Sequence, residues 1–419
     1  MAMVATDLKG MLSISIKSRH DSHSDQYNRI FMVKLMLVCC VVMGISWYSD
    51  SISCIIPGAH GIDGGFVSST CWIQGVYIYK ELRARVDEVA YFGIPKDIDL
   101  DGILHDTPNK ELCPLEPRLS KKVKEGCTPM EKTYFLQYQY FPFLIAALAI
   151  IFYAPYLLFR AVNNDLISLK DNVKSDEKDA EKIAKHYFSQ KTNPNRNNAG
   201  RILGNILVKV LYLVANVVTL TGLNRLLNGE FIGYGNKWIE WTGLQNTIQY
   251  DYMGMRDHPK PGNILLPPFG YCEVRASAKD IKESYANQHK FVCELSQNIL
   301  YQYALVVLWF ALIIGIVVSV IGLLLLIIHY IVGVFGIKAD GPVAKRIFKT
   351  LSFRELEYLE FIRKRDIVLY GEILDHLKND RLHEVAPPSN RDDAPLYPSL
   401  PNKDRYPDEQ KRPDYDGGY

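Results

Sequence analysis

"YQYALVVLWFALIIGIVVSVIGLLLLIIHYIVGVFGI" runs from Tyr301 to Ile337, and its reading decides the fold. No Asp, Glu, Lys or Arg interrupts the chain between Glu294 and Lys338. A helix in a water-soluble domain needs only one apolar stripe, so a helix apolar on every side points to lipid. The stretch is longer than the ~20 residues that one crossing requires. It has no turn signal at its centre, since Gly315 and Gly322 alone do not make one. One long helix, tilted or projecting past the bilayer, is the expectation.

Three more segments of spanning length lie upstream. "FMVKLMLVCCVVMGISWYS" covers Phe31–Ser49, and "ILGNILVKVLYLVANVVTLTGL" covers Ile202–Leu223. "YQYFPFLIAALAIIFYAPYLLFR", Tyr138–Arg160, supplies the remaining span and carries Pro142 and Pro155. The averages hide these segments: 419 residues are 48% hydrophobic and 22% charged, with a formal charge of +2. A charge so near zero argues against nucleic-acid binding, which needs a concentrated basic face. Residues 1–30 are polar, so the apolar run opening at Ile30 reads as a retained anchor rather than a cleaved leader.

Basic residues set the orientation. Arg29, Arg160, Arg201, Lys338, Lys345, Arg346 and Lys349 flank the ends that share one side, which makes that side cytosolic and puts both termini there. Lys34 and Lys209 sit near the ends of their segments, where a long side chain can reach the interface. The cysteines are an independent test. Cys54, Cys71, Cys113, Cys127, Cys272 and Cys293 all fall in the two outer loops, and Cys39 and Cys40 lie inside the first span. The termini and the inner loop have none, as disulfides outside and a reducing cytosol require. Sequence alone leaves the connectivity open.

The third span carries Asn205, Lys209, Tyr212, Asn216 and Thr219 at steps of four, three, four and three. That is one helical face, and in lipid it must look at protein or water. Two readings fit: a pore lining, or a hydrogen-bonding seam between helices. "DIDLDG", Asp97–Gly102, places Asp97, Asp99, Asp101 and Gly102 where a calcium loop has its first ligands and its turn glycine. Pro108 stands where the bidentate glutamate belongs, so the alternatives are a weak extracellular calcium site and a solvated acidic turn. "HGIDGG", His60–Gly65, reads as a flexible turn rather than a phosphate cradle, because no helix pattern follows it directly. No P-loop, HExxH or GxSxG pattern occurs, and the ten histidines are scattered, so no enzyme and no firm metal or cofactor is expected. From Ala386 the composition shifts to Pro, Asp, Arg and Tyr, a tail that cannot bury a core. Its "LYPSL" gives Tyr397 and Leu400 the spacing of a tyrosine-based sorting signal, a pattern that also arises by chance.

Across about residues 26–380 the chain resembles the innexins and, more distantly, the pannexins. The likeness rests on "CWI" at Cys71–Ile73, "YQYF" at Tyr138–Phe141 and "FYAPYLLFR" at Phe152–Arg160. It continues in "VKVLYLVANVVTLTGLNRLL", and in "GYCEVR" at Gly270–Arg275 followed by Cys293 and "LYQYALVVLWF". The resemblance implies an all-α membrane protein with four spans, two disulfide-linked extracellular loops of short strands and helices, and a helical cytoplasmic domain. It implies a large-pore channel of the plasma membrane. The subunits form a hexamer to octamer, alone or with other innexins, and the ring docks with one on the apposed cell at a gap junction. It implies the bridges Cys54–Cys293 and Cys71–Cys272, which leaves Cys113 and Cys127 for each other. It places Met1, Met3 and Asp7 in a funnel at the cytosolic mouth and favours the seam for the third span.

The resulting plan has an N-terminal segment 1–30, spans at 31–49, 138–159, 202–223 and 301–337, and outer loops 50–137 and 224–300. An inner loop 160–201, inner helices 338–385 and a tail 386–419 complete it. Pro155 near the inner end of the second span is either a tolerated kink or a gating hinge. Two alternatives remain: a pannexin-like hemichannel that never docks, and a four-span adhesion or scaffold protein without a pore. No Asn-x-Ser/Thr sequon occurs, so no loop glycan obstructs docking. From Asp50 to Lys132 there are 13 acidic and 10 basic side chains, a slight excess that would favour cations at the outer mouth.

Overall fold

The computed structural model describes residues 21–49, 52–56, 63–85, 87–105, 110–115, 125–174, 179–189, 195–244, 259–279, 284–335, 347–348 and 350–382. The chain divides into two compact units, Met1–Leu157 with Val208–Leu324, and Leu158–Leu207 with Leu325–Tyr419.

The first unit begins with α1. One α-turn, His23–Gln26, leads into a π-helical stretch, Tyr27–Met32, and then Val33–Ser49. Ser22 caps the start: its hydroxyl accepts from the Asp25 N–H and donates to the Asp25 carboxylate at 2.9 Å. The helix therefore starts well before the expected Phe31. Hydropathy stops at Ile30, but the polar residues upstream have partners inside the protein and do not need water.

The segment between α1 and the second span was expected to carry short strands and helices. It holds β1 (Ser53–Cys54), α2 (Gly64–Gln74), β2 (Val76–Tyr79), a 3-10 turn at Lys80–Ala84 and β3 (Val89–Tyr91). β4 (Ile94–Pro95), β5 (Gly102–Leu104), β6 (Leu112–Cys113), β7 (Cys127–Pro129) and β8 (Lys132–Phe135) follow. α2 corrects the reading of "HGIDGG": a helix does follow directly. Asp63 is its N-cap and accepts from the Phe66 N–H at 2.9 Å, so the helix start holds its own carboxylate and is no anion cradle. The Gly-Gly opening and the cysteine hid the helical pattern.

The chain then forms α3 (Gln137–Val162), α4 (Asn164–Lys174), α5 (Ala180–Tyr187) and α6 (Asn195–Leu226). α7 (Tyr234–Thr242), α8 (Pro261–Leu265), β9 (Phe269–Lys279), β10 (Ser284–Glu294) and α9 (Ser296–Phe335) come next. α3 is one helix with both prolines inside it, each buried. α9 is a single helix with no break at Gly315 or Gly322. Among the described residues four helical stretches are long and apolar enough to cross a membrane: His23–Ile45, Gln137–Val162, Asn198–Leu226 and Ser296–Ile331.

β1, β10, β9, β2 and β8 pair in that order as one antiparallel sheet. Its two long strands exceed the short ones expected. Cys272 and Val274 on β9, and Phe291 and Cys293 on β10, alternate inward into the core with Val76, Ile78 and Phe135. A second sheet joins β6, β5 and β7.

The second unit has its own core. Leu169 and Val173 of α4, Ile183 and Tyr187 of α5, and Tyr358 and Ile362 of α10 (Phe353–Arg365) pack with Ile373 and Leu377 of α11 (Ile367–Leu382). α10 opens on a capping box between Ser352 and Glu355.

Candidate functional site

The polar face of α6 is where the chemistry gathers. In the first unit Lys209 is buried, which corrects the expectation that it reaches the interface. Its ammonium donates to Asp25 Oδ1 and to Ser24 Oγ, both at 2.8 Å, and to Ser22 Oγ. Lys209 and Asp25 side chains are 8% and 6% exposed. A lone ammonium in an apolar interior is costly, and a carboxylate within hydrogen-bond reach together with two hydroxyls offsets that cost.

Around this pair the first turns of α1 are pinned on three sides. Asn216 Nδ2 donates to Asn28 Oδ1 at 2.7 Å, and Asn28 Nδ2 donates to Ser319 Oγ of α9 at 2.9 Å. The Tyr27 hydroxyl donates to the Ala311 carbonyl at 3.0 Å. Arg29 bridges back to Asp21 at 2.7 Å, and its guanidinium lies 3.9 Å from the centre of the Tyr156 ring on α3. The start of α1 is thus tied to α3, α6 and α9. Lys209 and Asn216 lie in a seam between helices, and Tyr212 and Thr219 on the same face are buried. In the second unit Asn205 accepts from Asn163 Nδ2 at 2.5 Å and donates to the Tyr330 hydroxyl at 3.4 Å. The spacing on α6 announced this face. Its partners Ser22, Ser24, Asp25 and Asn28 were missed, although "SHSD" at Ser22–Asp25 is a helix-start pattern and a buried lysine demands an anion.

At the opposite end of the first unit, sulfur holds the loops. Cys54 is bonded to Cys293, Cys71 to Cys272, and Cys113 to Cys127. The first two bridges tie residues 239 and 201 positions apart, the third only 14. In the chain-entropy picture the long closures each contribute up to about 5 kcal/mol and the short one about 3 kcal/mol. Cys54, Cys71 and Cys293 sulfurs lie close together, but all three are in disulfides and hold no metal. On the same sheet Glu273 accepts from Lys132 Nζ at 2.7 Å and from the Tyr77 hydroxyl. Burial pushes the Glu273 carboxyl up, but those bonds and the Lys132 and Lys290 charges outweigh it and hold it below the usual range.

The acidic turn lies beside this sheet. Asp97 Oδ1 accepts from the Asp99 N–H at 3.1 Å, and Asp101 Oδ1 accepts from the Leu115 N–H at 2.9 Å. Gly102 enters β5, where a Cβ would lie 3.0 Å from the Thr128 carbonyl. Asp106 and Pro108 lie outside the described residues, as do Met1, Met3, Asp7, Tyr397 and Leu400.

The second unit has a charge cluster of its own. Arg354, fully buried, donates from Nε and Nη2 to the two Asp165 oxygens at 3.0 and 2.9 Å, and from Nη1 to Glu357 at 2.7 Å. Nη2 also donates to Asn163 Oδ1 at 2.8 Å, in the break between α3 and α4. The Tyr358 hydroxyl donates to Asp165, and Arg201 lies 3.3 Å from the same carboxylate. Burial pushes Asp165 up, but Arg354, Tyr358 and Arg201 outweigh it and hold its carboxyl below the ordinary range.

Comparison with known proteins fits this geometry. The family model described as Innexin matches residues 21–380. Innexin inx3 of Drosophila melanogaster is 21% identical over 350 residues, covering 81% of this chain and 75% of that protein.

Proposed function

The chain belongs to the innexin family, and on that premise we propose how its parts serve a channel. As an innexin it is a gap-junction channel subunit of the plasma membrane, not an enzyme. Our reading is a hexamer to octamer whose disulfide-bearing loops face outside and dock with a ring on the apposed cell, both termini lying in the cytosol. Residues 1–20, with Met1, Met3 and Asp7, line the cytosolic mouth. The observation that carries this reading is the buried Lys209–Asp25 pair. A chain end that must stay at a fixed place in a pore needs a rigid base, and α1 has one immediately after those residues. Docking needs a rigid rim in the same way, and the long-range bridges support one. Outer calcium acts weakly through Asp97, Asp99 and Asp101.

Pro155 stands two positions before the division of the chain at Leu157 and is the hinge in this scheme. Pro155→Ala should shift gating while leaving surface expression unchanged, and unaltered gating reduces it to a kink.

Expression in single and in paired cells lacking endogenous channels tests the whole reading. Current between paired cells supports docking. Current in single cells alone supports the hemichannel, and none in either supports the scaffold. Deleting residues 1–10 should change the unitary conductance, and an unchanged value removes the N-terminal mouth.

A further inference from the structure

Beside the first turns of α9 lies a cavity of about 270 Å3. Tyr91, Phe92, Pro268, Phe269 and Ile299 give it an apolar wall, and Lys260 stands at its lining. The wall is built, not incidental. The Tyr91 and Phe269 rings stack at 4.3 Å. The Leu295 N–H donates to the Pro268 carbonyl at 2.7 Å, and Asn298 Nδ2 to the Pro267 carbonyl at 2.8 Å.

The place matters as much as the shape. Ile299, Leu300 and Tyr303 are exposed at 39%, 36% and 47%, on the stretch of α9 long and apolar enough to span. Next to them α7 carries the buried Trp238, the half-buried Trp241 and the exposed Ile239, with the Trp238 ring 5.8 Å from that of Tyr303. Indole rings beside exposed aliphatics at the end of a span mark the level of lipid headgroups. The Lys260 ammonium donates to the Tyr303 hydroxyl at 3.0 Å and lies over the Tyr303 and Trp238 rings, at 4.7 and 5.6 Å from their centres. Among the described residues Lys260 has no carboxylate partner.

We propose that this cleft binds one phospholipid of the leaflet bordering the disulfide-bearing loops, with its phosphate on Lys260 and an acyl chain over Ile299 into the cavity. A cation at headgroup level and an apolar hollow just inside it match the two halves of that molecule. A free anion would leave the hollow unfilled, and an apolar peptide segment would leave the ammonium unpaired.

The test uses the full-length assembled protein in phosphatidylcholine vesicles containing a phospholipid with a photoactivatable diazirine on one acyl chain. Illumination and peptide mapping should place the label on the peptides holding Phe92, Phe269 and Ile299. Lys260→Glu should reduce that labelling about fivefold, and Lys260→Arg should retain it. A diazirine diacylglycerol, lacking the phosphate, should label as weakly as the Glu variant does with the phospholipid. Gel filtration checks that each variant assembles. Absent label, equal labelling of wild type and Lys260→Glu, or equal labelling by the diacylglycerol overturns the proposal. So does a comparable loss in Lys260→Arg. Protection by inorganic phosphate without any lipid label makes it an anion site instead. A photoreactive residue at position 299 that couples to another copy of the chain makes it a subunit contact.

Discussion

The disulfide-bearing sheet and the α6 seam solve the same problem with different chemistry. Each joins segments more than a hundred residues apart, as Cys71–Cys272 and Asp25–Lys209 show. The sheet uses covalent bonds that open only by reduction. The seam uses one ion pair and a chain of amides and hydroxyls, all of which exchange partners without breaking a bond. The difference teaches where motion is allowed: the sheet is fixed for the life of the protein, whereas the base of α1 is held strongly but reversibly.

The largest effect should come from the covalent side. Cys71→Ser should abolish junctional current and reduce surface protein more than about tenfold, because a long-range closure of up to about 5 kcal/mol disappears. The pair Cys113→Ser, Cys127→Ser closes a far shorter loop and should leave measurable current. Equal losses, read by surface biotinylation and paired-cell recording, would erase the distinction between framework and local bridges.

Next comes the seam. Lys209→Met strands Asp25 in an apolar interior and should cost about 3–5 kcal/mol, seen as a large drop in the melting temperature of purified protein. Adding Asp25→Asn should recover most of that stability while the gating voltage remains displaced. If the double variant is no more stable than the single one, the two side chains are not a coupled pair.

Asp165 gives a smaller effect with a defined pH signature. Its folded carboxyl titrates below the ordinary value, so its pairing with Arg354 stabilises at neutral pH and is lost as pH falls through the lowered value. The stability gap between wild type and Asp165→Asn, about 2–3 kcal/mol, should stay level from about pH 5 to 8 and close below about pH 4. A gap that shrinks already between pH 8 and 6 would point to another group. Last, Asp97→Asn with Asp99→Asn should shift the calcium concentration that closes undocked channels by only about twofold, as millimolar sites do. An unchanged calcium response removes that turn from gating.

Much of this molecule was legible before folding. Length and charge exclusion marked the spans, because lipid imposes a physical minimum on both. Steps of three and four on α6 revealed a polar face, because helical geometry is local. What stayed hidden was the far side of each contact. Asp25 and Asn28 read as parts of a polar leader, since hydropathy cannot distinguish a side chain meeting water from one meeting Lys209. Arg354 and Asp165 lie 189 positions apart and nothing in either neighbourhood names the other. The long β9–β10 ribbon was hidden because its connection, Asp280–Glu283, holds no Gly, Asn or Pro to announce a hairpin.

The glycines of α9 have a mechanical meaning. At Gly315 the space a Cβ would take is filled by the Asn216 amide, and at Gly322 by the Ser24 hydroxyl. Two notches seven residues apart on one helix, each holding a polar group from a different neighbour, act as a pair of sockets. Rolling the helix about its own axis would bring a leucine or isoleucine against one of those groups. Sliding meets the same obstacle, because Leu312, Val318 and Leu325 lie above and below the two gaps on the same face. The helix is therefore indexed to α1 and α6 at two points, and any movement it makes must carry those neighbours with it.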